Sequence, residues 1–125
     1  MHLNVEIKAR CRHPEKIREI LEGRQARFVG LDQQVDTYFH VPHGRLKLRE
    51  GNIENALIHY QRSDQAGPKN SEVQLYRPGP NLKSILSAAL GVKVVVDKRR
   101  QIYFIENVKF HLDEVPPLGT FVEIG

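Results

Sequence analysis

The chain reads as an α+β protein, a closed antiparallel β-barrel or tunnel of about eight strands with helices packed outside. Three observations predict this. First, charged and polar residues alternate with apolar ones at strand period. Asn4, Glu6, Lys8 and Arg10 interleave with Leu3, Val5, Ile7 and Ala9, and Arg45, Lys47 and Arg49 flank Leu46 and Leu48. Tyr60 pairs in this way with Arg62, Lys98 with Arg100 and His111 with Asp113, and Glu123 closes the series. Successive strand side chains point to opposite faces, so each set projects one way. Second, most of these stretches are joined by short turns rich in Gly and Pro, as antiparallel neighbours require. Third, only two segments carry helical spacing.

The elements follow in order. A strand runs from about Leu3 to Cys11. Pro14 then opens a helix after His13; Ile17, Ile20 and Leu21 share its apolar stripe, and Gly23 ends it. Gln33–Val41 is a strand, Pro42-His43-Gly44 a turn, and Arg45–Glu50 the next strand. Gly51-Asn52 turns into Ala56–Arg62; a loop over Gln65–Asn70 leads to Ser71–Arg77. Pro78-Gly79-Pro80 breaks that strand. Asn81 caps a second helix with Leu82, Ile85, Leu86, Ala89 and Leu90 on one side, closed by Gly91. Strands over Val92–Glu106 and Val108–Val115 follow, then the linker Pro116–Gly119 and a last strand Phe121–Ile124.

The 125 residues suffice for one domain with a core. No apolar run is long enough to span a bilayer, and no charged leader precedes an apolar stretch. The single Cys11 excludes an internal disulfide and fits a reducing, cytoplasmic location. A net charge of +4 favours an anionic partner of unspecified kind. With no Trp and 7% aromatic residues, a nucleic-acid-binding barrel with stacking platforms is disfavoured.

Each charged motif alone has an ordinary explanation. Glu6 beside Lys8 can be a surface ion pair of little worth. Arg45, Lys47 and Arg49 repel one another unless an anion neutralises them, so a solvated strand and an anion site are comparable readings. Lys98-Arg99-Arg100 can be a wet basic run. Together, bases between acids at both chain ends describe a lining suited to a polyanion held with a divalent cation.

The ordered motifs resemble the CYTH group of triphosphate tunnel metalloenzymes, which includes class IV adenylyl cyclases and thiamine triphosphatases. The resemblance rests on Val5–Arg10, Gln34–Phe39, Gly44–Glu50, Tyr60–Arg62, Asp97–Arg100, His111–Val115 and Leu118–Ile124. It implies a single CYTH-like domain over residues 1–125, without the family's usual C-terminal helices, and a closed tunnel fold. It implies that Lys8, Lys47, Arg49, Arg62, Lys98 and Arg100 bind a triphosphate, with Arg45 on the same face at the mouth. It implies that Glu6, Asp113 and Glu123 hold Mg²⁺ or Mn²⁺, and that Lys8 and Glu6 serve catalysis. Asn4 and Gly125 stand where the family has two further acids; the Asn carbonyl remains a suitable oxygen ligand. The implied function is metal-dependent conversion of a triphosphate, nearest to class IV adenylyl cyclase (ATP to cyclic AMP and pyrophosphate). The alternatives are a triphosphatase for thiamine triphosphate or tripolyphosphate, and a non-catalytic triphosphate-binding module. The implied partner is a triphosphate-containing small molecule, with no membrane and with a homodimer left open.

Overall fold

The alternating segments pair as antiparallel strands. The computed structural model describes residues 2–62 and 69–125, and side chains over 7–61 and 76–125. In chain order the elements are β1 (His2–Arg10), α1 (Pro14–Gly23), β2 (Arg27–Phe39), β3 (Arg45–Gly51), β4 (Asn55–Arg62), β5 (Lys69–Tyr76), α2 (Leu82–Leu90), β6 (Val92–Ile105), β7 (Val108–Val115) and β8 (Gly119–Ile124). Neighbours around the sheet run β1-β5-β4-β3-β2-β6-β7-β8 and back to β1. The antiparallel, mostly β architecture with two helices is the expected one. Its closure is less complete than the tunnel wall the sequence predicts. Among the described residues, β1 pairs with β5 through His2–Glu6 and with β8 through Ile7–Arg10. The wall is thus a strongly curled sheet whose ends meet through the two halves of one strand, because the β8 ladder reaches only the second half of β1.

Two further expectations are corrected. β2 starts at Arg27, not Gln33. Its ladder with β6 shifts register between Phe28 and Gly30, and such a bulge interrupts the alternation that marks a strand. Gly30 has φ 152°, and a Cβ there would lie 2.9 Å from Ile53 Cδ1. Asn81 does not cap α2 with its side chain; it sits in the left-handed region at φ 66°, which Asn tolerates.

The barrel is inside out relative to an ordinary sheet. Register places Asp32 opposite Arg100, and Arg100 opposite Asp113, while Asp36 faces Arg49 and Gln34 faces Lys98. These polar side chains share the concave face and are buried. The apolar alternates point outward and need a cover. α1 supplies one: Leu21 packs with Tyr103 and Leu112, bordered by Ile17, Ala26, Ile105, Phe110 and Val122. Ile7, Leu31 and Val95 remain about half exposed. α2 buries none of its residues, and Ile85 is 60% exposed, so its apolar stripe is not a core face. No helix among the described residues is long and apolar enough to cross a membrane.

Leu112 is 3% exposed under α1 whereas Val95 is 52% exposed. Leu112→Ala should therefore cost about 2–5 kcal/mol, and Val95→Ala less than about 1 kcal/mol. Urea unfolding of both variants measures this; equal costs would place the stabilising core elsewhere.

Candidate functional site

Two networks of charge fill the interior. The first centres on Asp36, whose exposure is 0%. Arg49 donates to it through Nε at 2.9 Å and Nη2 at 2.8 Å. Lys98 Nζ lies 3.3 Å and Lys47 Nζ 3.6 Å from Asp36 Oδ2. Burial alone would raise the Asp36 carboxyl, but the Arg49 hydrogen bonds and the charges of Arg49, Lys98 and Lys47 hold it well below the carboxylate range. One carboxylate thus faces three bases, and this part of the lining is net positive. Burial, with the Arg49 charge beside it, lowers Lys47 to about 7. Its ammonium lies 5.6 Å from the Tyr38 ring centre and 5.2 Å from that of Tyr60, a cation–π setting that compensates part of the lost hydration. Lys98 is lowered too, by burial and then by Arg100.

The second network centres on Arg100 and Glu54. Arg100 donates Nε and Nη2 to Asp113 at 2.9 and 3.0 Å, and Nη1 to Glu54 Oε1 at 3.0 Å. Gln34 Nε2 donates to the same Glu54 oxygen at 2.7 Å, and Arg49 Nη1 lies 3.8 Å from it. Lys109 pairs with Glu54 Oε2. Burial would raise Glu54, but the Lys109 hydrogen bond and the Arg100 charge bring it to about 2. Glu54 belongs to the turn between β3 and β4, and Asp32 pulls that turn inward. Its carboxylate accepts the backbone N–H of Ile53 at 2.9 Å and of Glu54 at 2.8 Å, and Gln34 Nε2 at 2.7 Å. Gly51 must lack a side chain here, since a Cβ would lie 2.6 Å from Asp32 Oδ1.

A third group joins the second. Ligand atoms of His111, Asp113 and Glu123 lie within 4.8 Å of one another. His111 Nδ1 is 3.8 Å from Glu123 Oε2, and neither buried ring nitrogen has a hydrogen-bond partner. Burial foremost lowers the imidazole, with Glu123 pulling the other way, so the ring is neutral at neutral pH. An imidazole grouped with two carboxylates in this way fits a divalent cation. Asp113 keeps lone pairs for a metal even while it accepts from Arg100.

The sequence-predicted residues divide accordingly. Lys47, Arg49, Lys98, Arg100, Asp113 and Glu123 come together. Lys8 shares a face with Glu123 by register, yet its side chain is exposed and its ammonium sits 5.3 Å from the Phe121 ring centre. Arg45 is exposed at the start of β3. The side chains of Asn4, Glu6 and Arg62 lie outside the described residues. Asp32, Asp36, Glu54 and Lys109 were not among the expected site residues, and His111 was not among the expected metal ligands. The alternation Asp32-x-Gln34-x-Asp36 and Lys109-x-His111-x-Asp113 carried a signal for most of them; Glu54, in a turn, carried none.

The model of the CYTH domain family matches residues 2–125. The chain belongs to the CYTH domain family. Among solved structures it is similar to the PH1012 protein of Pyrococcus horikoshii OT3, with 28% identity and TM-score 0.78 over 96% of this chain and 76% of that one. A candidate adenylate cyclase of Vibrio parahaemolyticus shares 19% identity with TM-score 0.73, over 95% and 72% of the two chains. A Hippeastrum protein, a candidate adenylyl cyclase with a dominant triphosphatase activity, shares 17% identity with TM-score 0.68, over 96% and 77%. At these lower identities the likeness is one of fold. No curated protein matches the chain.

The two buried lysines of this CYTH domain, Lys47 and Lys98, both lowered, make stability rise with pH above neutrality. Lys47 falls from 10.5 to about 7 on folding, so between those values the unfolded chain binds more protons. Stability should then rise with pH from about 7 toward 10. Above pH 10 the raised Tyr38 hydroxyl, kept protonated first by burial, opposes the rise. Urea unfolding at several pH values should show a positive slope that flattens in Lys47→Met. An unchanged slope in that variant would show that Lys47 is not the group responsible.

Proposed function

We propose that this CYTH domain binds the triphosphate of a small molecule in its barrel and cleaves it with the help of a divalent metal. The observation that carries this reading is the convergence of Lys47, Arg49 and Lys98 on the single carboxylate of Asp36. That arrangement leaves positive charge fixed in a water-poor interior, where preorganised donors stabilise developing charge at little reorganisation cost. A triphosphate supplies the missing anions. Arg49 and Lys98 are held in place by Asp36, so they meet phosphate oxygens with orientation already set. The family resemblance adds Lys8, Glu6, Arg45 and Arg62 to the site. Asp113 and Glu123, with His111 and Glu6, are the residues for Mg²⁺ or Mn²⁺. When bound, the cation would neutralise and polarise phosphoryl oxygens.

Two reaction outcomes belong to this reading. In hydrolysis, water attacks a phosphorus and the bond to the bridging oxygen breaks, releasing orthophosphate. In cyclisation, the ribose 3′-hydroxyl of ATP attacks the α-phosphorus and pyrophosphate leaves. Hydrolysis asks least of the site and accords with the triphosphatase activity of the Hippeastrum protein. Cyclisation needs a seat for the base, and the paired Tyr38 and Tyr60 rings beside Lys47 favour keeping it as the second reading.

Incubation with Mg²⁺ or Mn²⁺ and each of ATP, tripolyphosphate and thiamine triphosphate should yield orthophosphate as the main product. Cyclic AMP with pyrophosphate would select the cyclase, and no product with measurable tripolyphosphate binding would leave a binding module. Binding should lose about tenfold or more in Lys47→Met, the equivalent of one charge-assisted hydrogen bond. Arg24→Ala, after the end of α1, should leave it unchanged. Equal losses in calorimetric titration would reduce the interaction to diffuse, salt-screened attraction.

A further inference from the structure

The Glu54 carboxylate stands where an anion would. Arg49 and Arg100 each already have a carboxylate of their own: Arg49 uses Nε and Nη2 on Asp36, and Arg100 uses Nε and Nη2 on Asp113. Both present their remaining Nη1 corner to one oxygen, Glu54 Oε1, at 3.8 and 3.0 Å. The Gln34 amide donates to that oxygen as well, and Lys109 takes the other. Glu54 is therefore not the primary counterion of either arginine. It fills a ready set of convergent donors of the kind that holds a phosphate oxygen.

Its place along the barrel follows from the topology. The β2–β3 connection lies at the end carrying Arg45, with Tyr38, Lys47 and Tyr60 next to it. The β3–β4 and β6–β7 turns lie at the opposite end, where Glu54 and Lys109 meet. Going down β2 from Tyr38, the interior passes Asp36 and Gln34 and ends at Asp32, which fixes the Glu54 turn by two backbone hydrogen bonds.

We propose that Glu54 is the protein's own occupant of an anion subsite formed by Arg100, Arg49, Lys109 and Gln34, and that it sets how long a polyphosphate chain the barrel accepts. The proposal refines the triphosphate reading: the interior offers subsites around Lys47, Lys98 and Arg49, and Glu54 stops the chain from advancing further. Replacing Glu54 with a smaller or neutral residue vacates the subsite for a phosphate group.

The test uses Glu54→Ala and Glu54→Gln in the full chain, with orthophosphate, tripolyphosphate and tetrapolyphosphate as probes. In the wild type, calorimetric affinity should not improve from tripolyphosphate to tetrapolyphosphate. In Glu54→Ala it should improve about tenfold or more, the scale of one added charged contact, and orthophosphate should raise the melting temperature more than in the wild type. Glu54→Gln keeps an acceptor for Gln34 and Arg100 and should show the same changes to a smaller degree; it decides the matter if Glu54→Ala does not fold. The same chain-length profile in the wild type and the folded variants, with no extra stabilisation by orthophosphate, would overturn the proposal. A wild type that ignores tripolyphosphate while the variants gain orthophosphate-dependent stability would uphold the subsite and sink the triphosphate reading.

Discussion

Buried charge must find opposite charge, and in this barrel the requirement falls first on Asp36. Removing a base or an acid from water costs several kcal/mol per ion unless partners of good geometry replace the water. Asp36, with its bidentate link to Arg49 and its two lysine neighbours, is what lets β2, β3 and β6 turn cations toward one another. The Arg100–Asp113 pair does the same between β6 and β7. Once the polar faces point inward, the apolar alternates have to point out. The helix α1, lying over Tyr103 and Leu112, follows from that inversion. So does the half-exposed state of Ile7, Leu31 and Val95.

The same compensation leaves the interior short of negative charge. Asp36 is one charge short of matching even two of its three neighbours. Lys47, desolvated first by burial and then repelled by Arg49, is a base whose pKa is lowered, to about 7. A polyanion bound as proposed would favour the protonated form. The site is thus rigid where arginines are pinned by carboxylates and adjustable where a lysine can gain or lose a proton.

Period-two alternation made most of the strands and the inward-facing bases legible in the sequence. It showed which residues of β3, β6 and β7 share a face, and it brought Lys47, Arg49, Lys98, Arg100, Asp113 and Glu123 into one proposed lining. It failed where local regularity fails. The bulge at Gly30 hid the first six residues of β2 and, with them, Asp32. The apolar stripe of α2 marked a helix but not how deeply that helix is covered: none of its residues is buried. Glu54 was invisible for a different reason: its role comes from a turn held by a residue 22 positions earlier in the chain, and no local pattern encodes that. The acids among the bases were undercounted, so the interior looked more strongly cationic than it is.

The link between Asp32 and the β3–β4 turn gives that turn an influence beyond its size. Asp32 holds two consecutive backbone amides, and Gly51 leaves the space its carboxylate occupies. The side chain that enters the barrel is that of the second anchored position, Glu54. Inserting or deleting one residue between Gly51 and Glu54 would present a different side chain to the same donors while leaving all strand ladders in place. If Glu54 ends the proposed subsite, the depth available to a ligand depends on the length of a four-residue segment rather than on the wall.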